Sequence, residues 1–281
     1  MFKIEAVSNH QLEQIKHKID AKTKPLGSLG KLETLAQQLA LILECDRPEL
    51  TKPTQLVFAG DHGVAELGVS IASSEVTGQM VANFCAGGAA INVFCRQANM
   101  NFKVIDCGTK YEQPDHPALI KQRLGDCTEP FNVNPAMSDQ DAMLGLRFGQ
   151  QIAQDQITQG CNIIGIGEMG IANTTSAAAI MMALTGLDLE YCVGRGTGVD
   201  DHSFARKKEV ISTAMLLHNE QLTSPLQVLA TLGGFEIAQM TGAMLGIAQA
   251  KKVILVDGFI STVAALLAVK MYPNARDYMI F

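Results

Sequence analysis

From residue 55 onward, short apolar runs repeatedly end in glycine-rich polar turns, and each turn opens a helix-compatible stretch. Gln55–Ala59 leads into Gly60-Asp61-His62-Gly63, and Phe102–Asp106 into Cys107-Gly108-Thr109. Asn162–Ile166 leads into Gly167-Glu168-Met169-Gly170, Tyr191–Val193 into Gly194-Arg195-Gly196-Thr197-Gly198, and Lys252–Val256 into Asp257-Gly258-Phe259. Strands alternating with helices predict an α/β fold with a mainly parallel sheet flanked by helices. Ligands of such sheets sit beyond the carboxyl ends of the strands, so all five turns fall on the functional edge. Helices are expected at Ser74–Ala98, Asp139–Gln159, Thr174–Leu184, Phe204–Asn219 and Pro225–Gln249, with Gly68–Ile71 strand-like and 109–138 a long excursion. Gly87-Gly88 and Gly233-Gly234 interrupt two of these helical patterns. Residues 1–50 read as helical, with Leu12, Ile15 and Ile19 and then Leu32, Leu35, Leu39 and Leu43 at helical spacing.

The turns carry the candidate chemistry. Gly165-Ile166-Gly167-Glu168-Met169-Gly170 spells a dinucleotide fingerprint after a strand and before a helix. Its context argues against a dinucleotide, because Glu168 would face a pyrophosphate. Asn173-Thr174-Thr175-Ser176 follow at once as the first turn of the next helix. Free N–H groups, hydroxyls and the helix dipole there suit one phosphate; the plainer reading is that Asn173 or Thr174 caps the helix. In Gly194-Arg195-Gly196-Thr197-Gly198 three glycines let backbone approach a ligand, and Arg195 suits a phosphate or carboxylate. Asp200 and Asp201 fit the same turn or cap the helix behind it. Asp61 and His62 read as a polar turn contacting substrate, or as a turn whose Asp caps. Ser73, Ser74 and Gln79 begin a helix, where capping accounts for the serines. Glu236 suits the positive end of a helix beginning after Gly234.

Charge and cysteines narrow the class. Against 28 acidic residues stand 22 basic ones, a net charge of −6. No basic cluster offers nucleic acid a positive face. The apolar runs Ala177–Leu184 and Val263–Val269 fall far short of the ~18 residues of a membrane span. The first residues are charged and lack a signal-peptide apolar region. Seven scattered cysteines do not make a disulfide framework. A cytoplasmic setting is expected. With no CxxC, HxH or HExxH, ligand count argues against a metal.

Seven segments together resemble the nicotinate-nucleotide–dimethylbenzimidazole phosphoribosyltransferase family of cobalamin biosynthesis. They are Lys24–Glu33, Phe58–Ser70, Gly87–Asn92, Gly167–Ile180, Gly194–Asp201, Leu232–Met240 and Val256–Ile260, in the family's order along the whole chain. The resemblance implies transfer of phosphoribose from nicotinate mononucleotide to 5,6-dimethylbenzimidazole, without metal or cofactor, by a homodimer. It implies a Rossmann-like domain over 51–281 and a small helical domain to which 1–50 contribute. It also implies substrate binding at Asp61, His62, Ser74, Gln79, Gly167, Met169, Gly170, Asn173, Thr174, Thr175, Ser176, Gly194, Arg195, Gly196, Thr197, Asp200 and Asp201, with Glu168 in support of catalysis. Ala172 stands where the family has a second glycine. The family's general base is the Glu of an Arg-Leu-Gly-Glu-Gly-Thr-Gly turn past the stretch matching Asp277–Phe281, so a C-terminally truncated member is expected. Two competing readings are a non-catalytic remnant that binds nucleotide and a NAD-type oxidoreductase.

Overall fold

Strands buried on both faces read as continuous apolar runs, and the computed structural model, which describes residues 2–196 and 198–281, places such runs at the centre of its sheet. Among these residues six strands form one parallel sheet: β1 Thr54–Gly60, β2 Asn101–Gly108, β3 Leu119–Lys121, β4 Ile163–Met169, β5 Val253–Val256 and β6 Met279–Ile280. Their spatial order is β3-β2-β1-β4-β5-β6. That is the doubly wound order, and its switch point lies between β1 and β4, where a crevice opens at the carboxyl ends. The register there sets Phe58 beside Glu168 and Ala59 beside Met169.

The described helices are α1 Leu12–Asp20, α2 Lys31–Ile42, α3 Glu75–Ala86, α4 Ala90–Gln97, α5 Asp139–Thr158, α6 Asn173–Thr185, α7 Leu189–Cys192, α8 Asp201–Leu217, α9 Pro225–Leu232, α10 Phe235–Gln249 and α11 Phe259–Met271. None is long and apolar enough to cross a membrane. Helix α5 starts at Ser138, whose hydroxyl accepts from Asp141 N at 3.1 Å. Every residue of α10 from Phe235 to Ala248 is buried, so it runs through the core instead of along its surface. It crosses α5 at close range: a methyl on Gly149 would drive into the Gln239 carbonyl, and one on Gly242 into that of Leu146.

Several local expectations are corrected. Tyr191–Val193 is not a strand but the end of the single helical turn α7 and its C-cap, with the Tyr191 and Cys192 N–H groups on Asp188 O. The sheet position beside β4 belongs to β5, and Tyr191 faces solvent. Gly68–Ile71 is an irregular turn, entered through Gly68 at φ 74° after a 3₁₀ segment. The helix expected over 74–98 divides into α3 and α4 at Gly87 (φ 78°), and that over 225–249 into α9 and α10 at Gly233-Gly234. The 109–138 excursion carries β3. The two ends of the chain meet: Tyr278 Oη donates to Glu5 O at 2.9 Å, Gln38 Nε2 to Met279 O at 3.0 Å, and Phe2 packs edge-on against Tyr272.

Candidate active site

The carboxyl ends of β1 and β4 bring the singled-out residues together. Asp61, just past β1, is fully buried and uses both carboxylate oxygens. One accepts from Thr77 Oγ1 at 2.6 Å, the other from Lys110 N at 2.8 Å. Burial raises its carboxyl above the usual range, against the pull of these donors. His62 is sealed as well, its Nε2–H donating to Glu236 Oε1 at 2.7 Å and its Nδ1 lying 2.9 Å from Ser176 Oγ. Burial disfavours the charged imidazole, but the carboxylates of Glu236, Asp61 and Glu168 outweigh it and raise His62 above its ordinary value. Both side chains are thus buried beyond the carboxyl end of β1, fixed by partners from α3, α6 and α10.

Glu168 ends β4 and is half-buried, with its carboxylate held by Asn173 Nδ2. Burial pushes its carboxyl up to about 7. Asn173 thus serves Glu168 and does not cap α6. The N-cap position is Ala172, at φ 71°, and no side chain caps the helix. No side chain accepts from the first turn of α6; the Asn173 and Thr175 N–H groups bond back to the Gly170 and Ala172 carbonyls, and Thr174 lines the cleft at this helix end, a position that suits an anion. Gly170 lets β1 and the β4–α6 turn touch, since a methyl there would strike the Gly60 carbonyl.

The second glycine-rich turn folds onto this helix end. A Cβ on Gly196 would sit 3.2 Å from Thr174 Oγ1. Gly170, Asn173, Thr174, Arg195, Gly196 and Lys207 line one small cleft together. Lys207 comes from α8 and had no sequence signal, because Arg206-Lys207-Lys208 reads as a solvated charge run. Its Nζ donates to Thr174 Oγ1 at 2.7 Å, and burial pulls its ammonium down to about 8. Thr175 Oγ1 is buried without a partner among the described residues. Arg195 is occupied by Val199 O at 3.0 Å and Asp201 Oδ1 at 2.5 Å, and lies over the Phe204 ring. Asp200 caps α8, accepting from Ser203 N at 2.8 Å. Ser74 opens α3 with a buried side chain that makes no capping bond, and Gln79 is exposed on the same helix. Met169 packs under β1. Thr197 lies outside the described residues.

The dinucleotide pattern has another cause. Gly165 and Gly167 lie within β4 and not in the turn, facing the Gln55 side chain of β1, so they are not placed to wrap a pyrophosphate. A helix N-terminus beside a half-buried carboxylate, at the switch point of a Rossmann-order sheet, fits the class of α/β enzymes that take a phosphorylated ligand. A family model described as phosphoribosyltransferase (DBI_PRT) matches residues 4–281. The nicotinate-nucleotide–dimethylbenzimidazole phosphoribosyltransferase of Photobacterium profundum is 55% identical over all of this chain and 82% of its own length. The protein of that name from Shewanella loihica is 54% identical, with the same coverage. The crystal structure of CobT from Thermus thermophilus superposes with a TM-score of 0.92 at 40% identity, covering 96% of this chain and 80% of that one. The chain belongs to the nicotinate-nucleotide–dimethylbenzimidazole phosphoribosyltransferase family. The oxidoreductase and non-catalytic readings find no support in these likenesses.

Proposed function

We propose that the chain transfers phosphoribose from nicotinate mononucleotide to 5,6-dimethylbenzimidazole, giving α-ribazole 5′-phosphate and nicotinate. The bond from the ribose anomeric carbon to the pyridinium nitrogen breaks, and its electron pair returns to the ring. The acceptor nitrogen attacks the opposite face of the anomeric carbon, so the configuration inverts, and the acceptor's N–H proton is lost to a base. Pyridinium is already a good leaving group. The protein's work is to hold the phosphate, align the acceptor and balance positive charge on the oxocarbenium-like ribose.

The observation that carries this reading is the juxtaposition of Glu168 with the α6 N-terminus and Lys207. The phosphate would sit on the α6 N–H groups, Thr174, Thr175 and the Lys207 ammonium. Glu168 in its carboxylate form would face the ribose and stabilise the developing cation. Gly194 and Gly196 would give the phosphate a close backbone wall, with Arg195 at the rim. The test is chromatographic: nicotinate mononucleotide and 5,6-dimethylbenzimidazole are supplied, and α-ribazole 5′-phosphate and nicotinate must appear in equal amounts. Hydrolysis to free ribose 5-phosphate with no ribazole product refutes the transfer.

Residues 1–50 fit a small helical domain strapped to the chain's last residues, in support of the two-domain division; a cytoplasmic homodimer completes the proposal. Leu26 and Leu29 in the α1–α2 connection and Leu32 at the start of α2 are exposed apolar side chains that a subunit contact would cover.

A further inference from the structure

The first turn of the helix at the site is held from behind by a buried pair. His62, Ser176 and Glu236 come from the end of β1, the first turn of α6 and the first turn of α10, and all three are buried. Two glycines make room for them. A Cβ on Gly60 would come within 2.8 Å of Glu236 Oε2, and one on Gly234 would strike the His62 ring. Glu236 Oε2 is buried with no hydrogen-bond partner among the described residues. An uncompensated buried carboxylate is costly, so Glu236 depends on the imidazole for its balance.

Asn173 and Ser176 are one helical turn apart on α6 and share a face. The turn that grips Glu168 is therefore the turn that His62 grips. That turn has no side-chain cap and starts from a left-handed Ala172, a conformation that persists only where the surroundings over-determine it. Resting on the site reading above, we propose that His62 and Glu236 are positioning residues: through Ser176 they lock the first turn of α6, and so set the Asn173–Glu168 contact and the direction of Glu168 toward the ribose. The charged groups facing His62 are Glu236, Asp61 and Glu168. They favour imidazolium, whose two N–H groups then donate to Glu236 and Ser176 together. Stability alone does not explain the pair, because apolar residues of similar volume commonly do as well in a core.

The test compares Ser176→Ala, Glu236→Gln and Glu168→Gln in turnover with nicotinate mononucleotide, together with ¹⁵N spectra of His62. A displacement of about 1 Å at the chemistry costs about a hundredfold in rate. Ser176→Ala and Glu236→Gln should each lower kcat by about that factor, while KM for nicotinate mononucleotide holds. At about pH 6.5, the ordinary histidine midpoint, His62 should give an imidazolium signal in the wild type and a neutral one in Glu236→Gln. Combining Ser176→Ala with Glu168→Gln should add almost nothing to the loss from Glu168→Gln. Should Glu236→Gln fail to fold, Ser176→Ala decides, because alanine is the best helix former at that site. Normal kcat in folded Ser176→Ala beside a crippled Glu168→Gln overturns the positioning role alone. Normal turnover in Glu168→Gln overturns the site reading, and the positioning role with it.

Discussion

Replacing Lys207 with Met separates the cost of the buried ammonium from its use. The side chain is 2% exposed, and its ammonium is pulled from 10.5 down to about 8 by burial. At about 1.4 kcal/mol per unit, that shift costs the folded chain up to about 3 kcal/mol. The folded value lies below the unfolded one, so this cost is complete below about pH 8 and fades as pH rises toward the unfolded value. Met keeps the length and removes the charge. It also strips a charged donor from Thr174 Oγ1, a loss of about 1.5 kcal/mol, while the 3.4 Å contact to the carbonyl of exposed Gly194 counts for little. Free Lys207→Met should therefore be more stable than wild type at pH 7, by about 1–2 kcal/mol, and melt a few degrees higher. Nicotinate mononucleotide should bind it about 10- to 150-fold more weakly, the equivalent of about 1.5–3 kcal/mol for a hydrogen bond to a charged group. Nicotinate riboside, which has no phosphate, should bind both proteins alike. Wild-type affinity for the mononucleotide should fall as pH rises through about 8, and that fall should be missing in the variant. Calorimetric titration beside thermal unfolding gives every quantity. A variant less stable than wild type, or one that loses riboside and mononucleotide binding equally, refutes the reasoning.

Thr174→Ala with Thr175→Ala should weaken nicotinate mononucleotide binding by about 1.5–3 kcal/mol per lost bond and leave the riboside unaffected in the same titration. Thr175→Ala alone should scarcely move the melting temperature, because its hydroxyl has no partner to lose. Glu168→Gln should reduce kcat more than substrate affinity. Wild-type turnover should rise with pH through about 7 as burial-raised Glu168 ionises, a limb that a pH–rate profile of the variant should lack. Gly149→Ala forces a methyl into the Gln239 carbonyl and should destabilise the α5–α10 crossing by about 1–3 kcal/mol, read in denaturant unfolding; an unchanged midpoint would mean the helices separate freely.

What could be read in advance depended on whether a feature is written locally. Strands β1, β2, β4 and β5 are apolar runs closed by turns, because a parallel strand covered on both faces needs little else. Strands β3 and β6, three and two residues long at the sheet edges, carry no periodicity to detect. Tyr191–Val193 has strand-like composition, but with β5 beside β4 no neighbour was left for it to pair with. The glycine pairs at 87–88 and 233–234 marked breaks, and breaks are what they are. In the site, Glu168 and the polar first turn of α6 were visible from composition. Lys207 was hidden inside a basic run, since only the tertiary position of α8 decides that the middle lysine of that run is buried. The link between His62 and Glu236 spans 174 positions and leaves no spacing to notice.

The dinucleotide-like glycines show how one set of letters answers to different physics. In a nucleotide-binding turn they would yield to a pyrophosphate; here two of them lie within β4 and yield to Gln55, and the third yields to the Gly60 carbonyl. Neighbouring β1 and β4 run in parallel register, so the end of one leads to His62 and the end of the other carries Glu168, with α6 tied to both by Ser176 and Asn173. The ladder and its register are thus what set the separation of the groups at the strand ends.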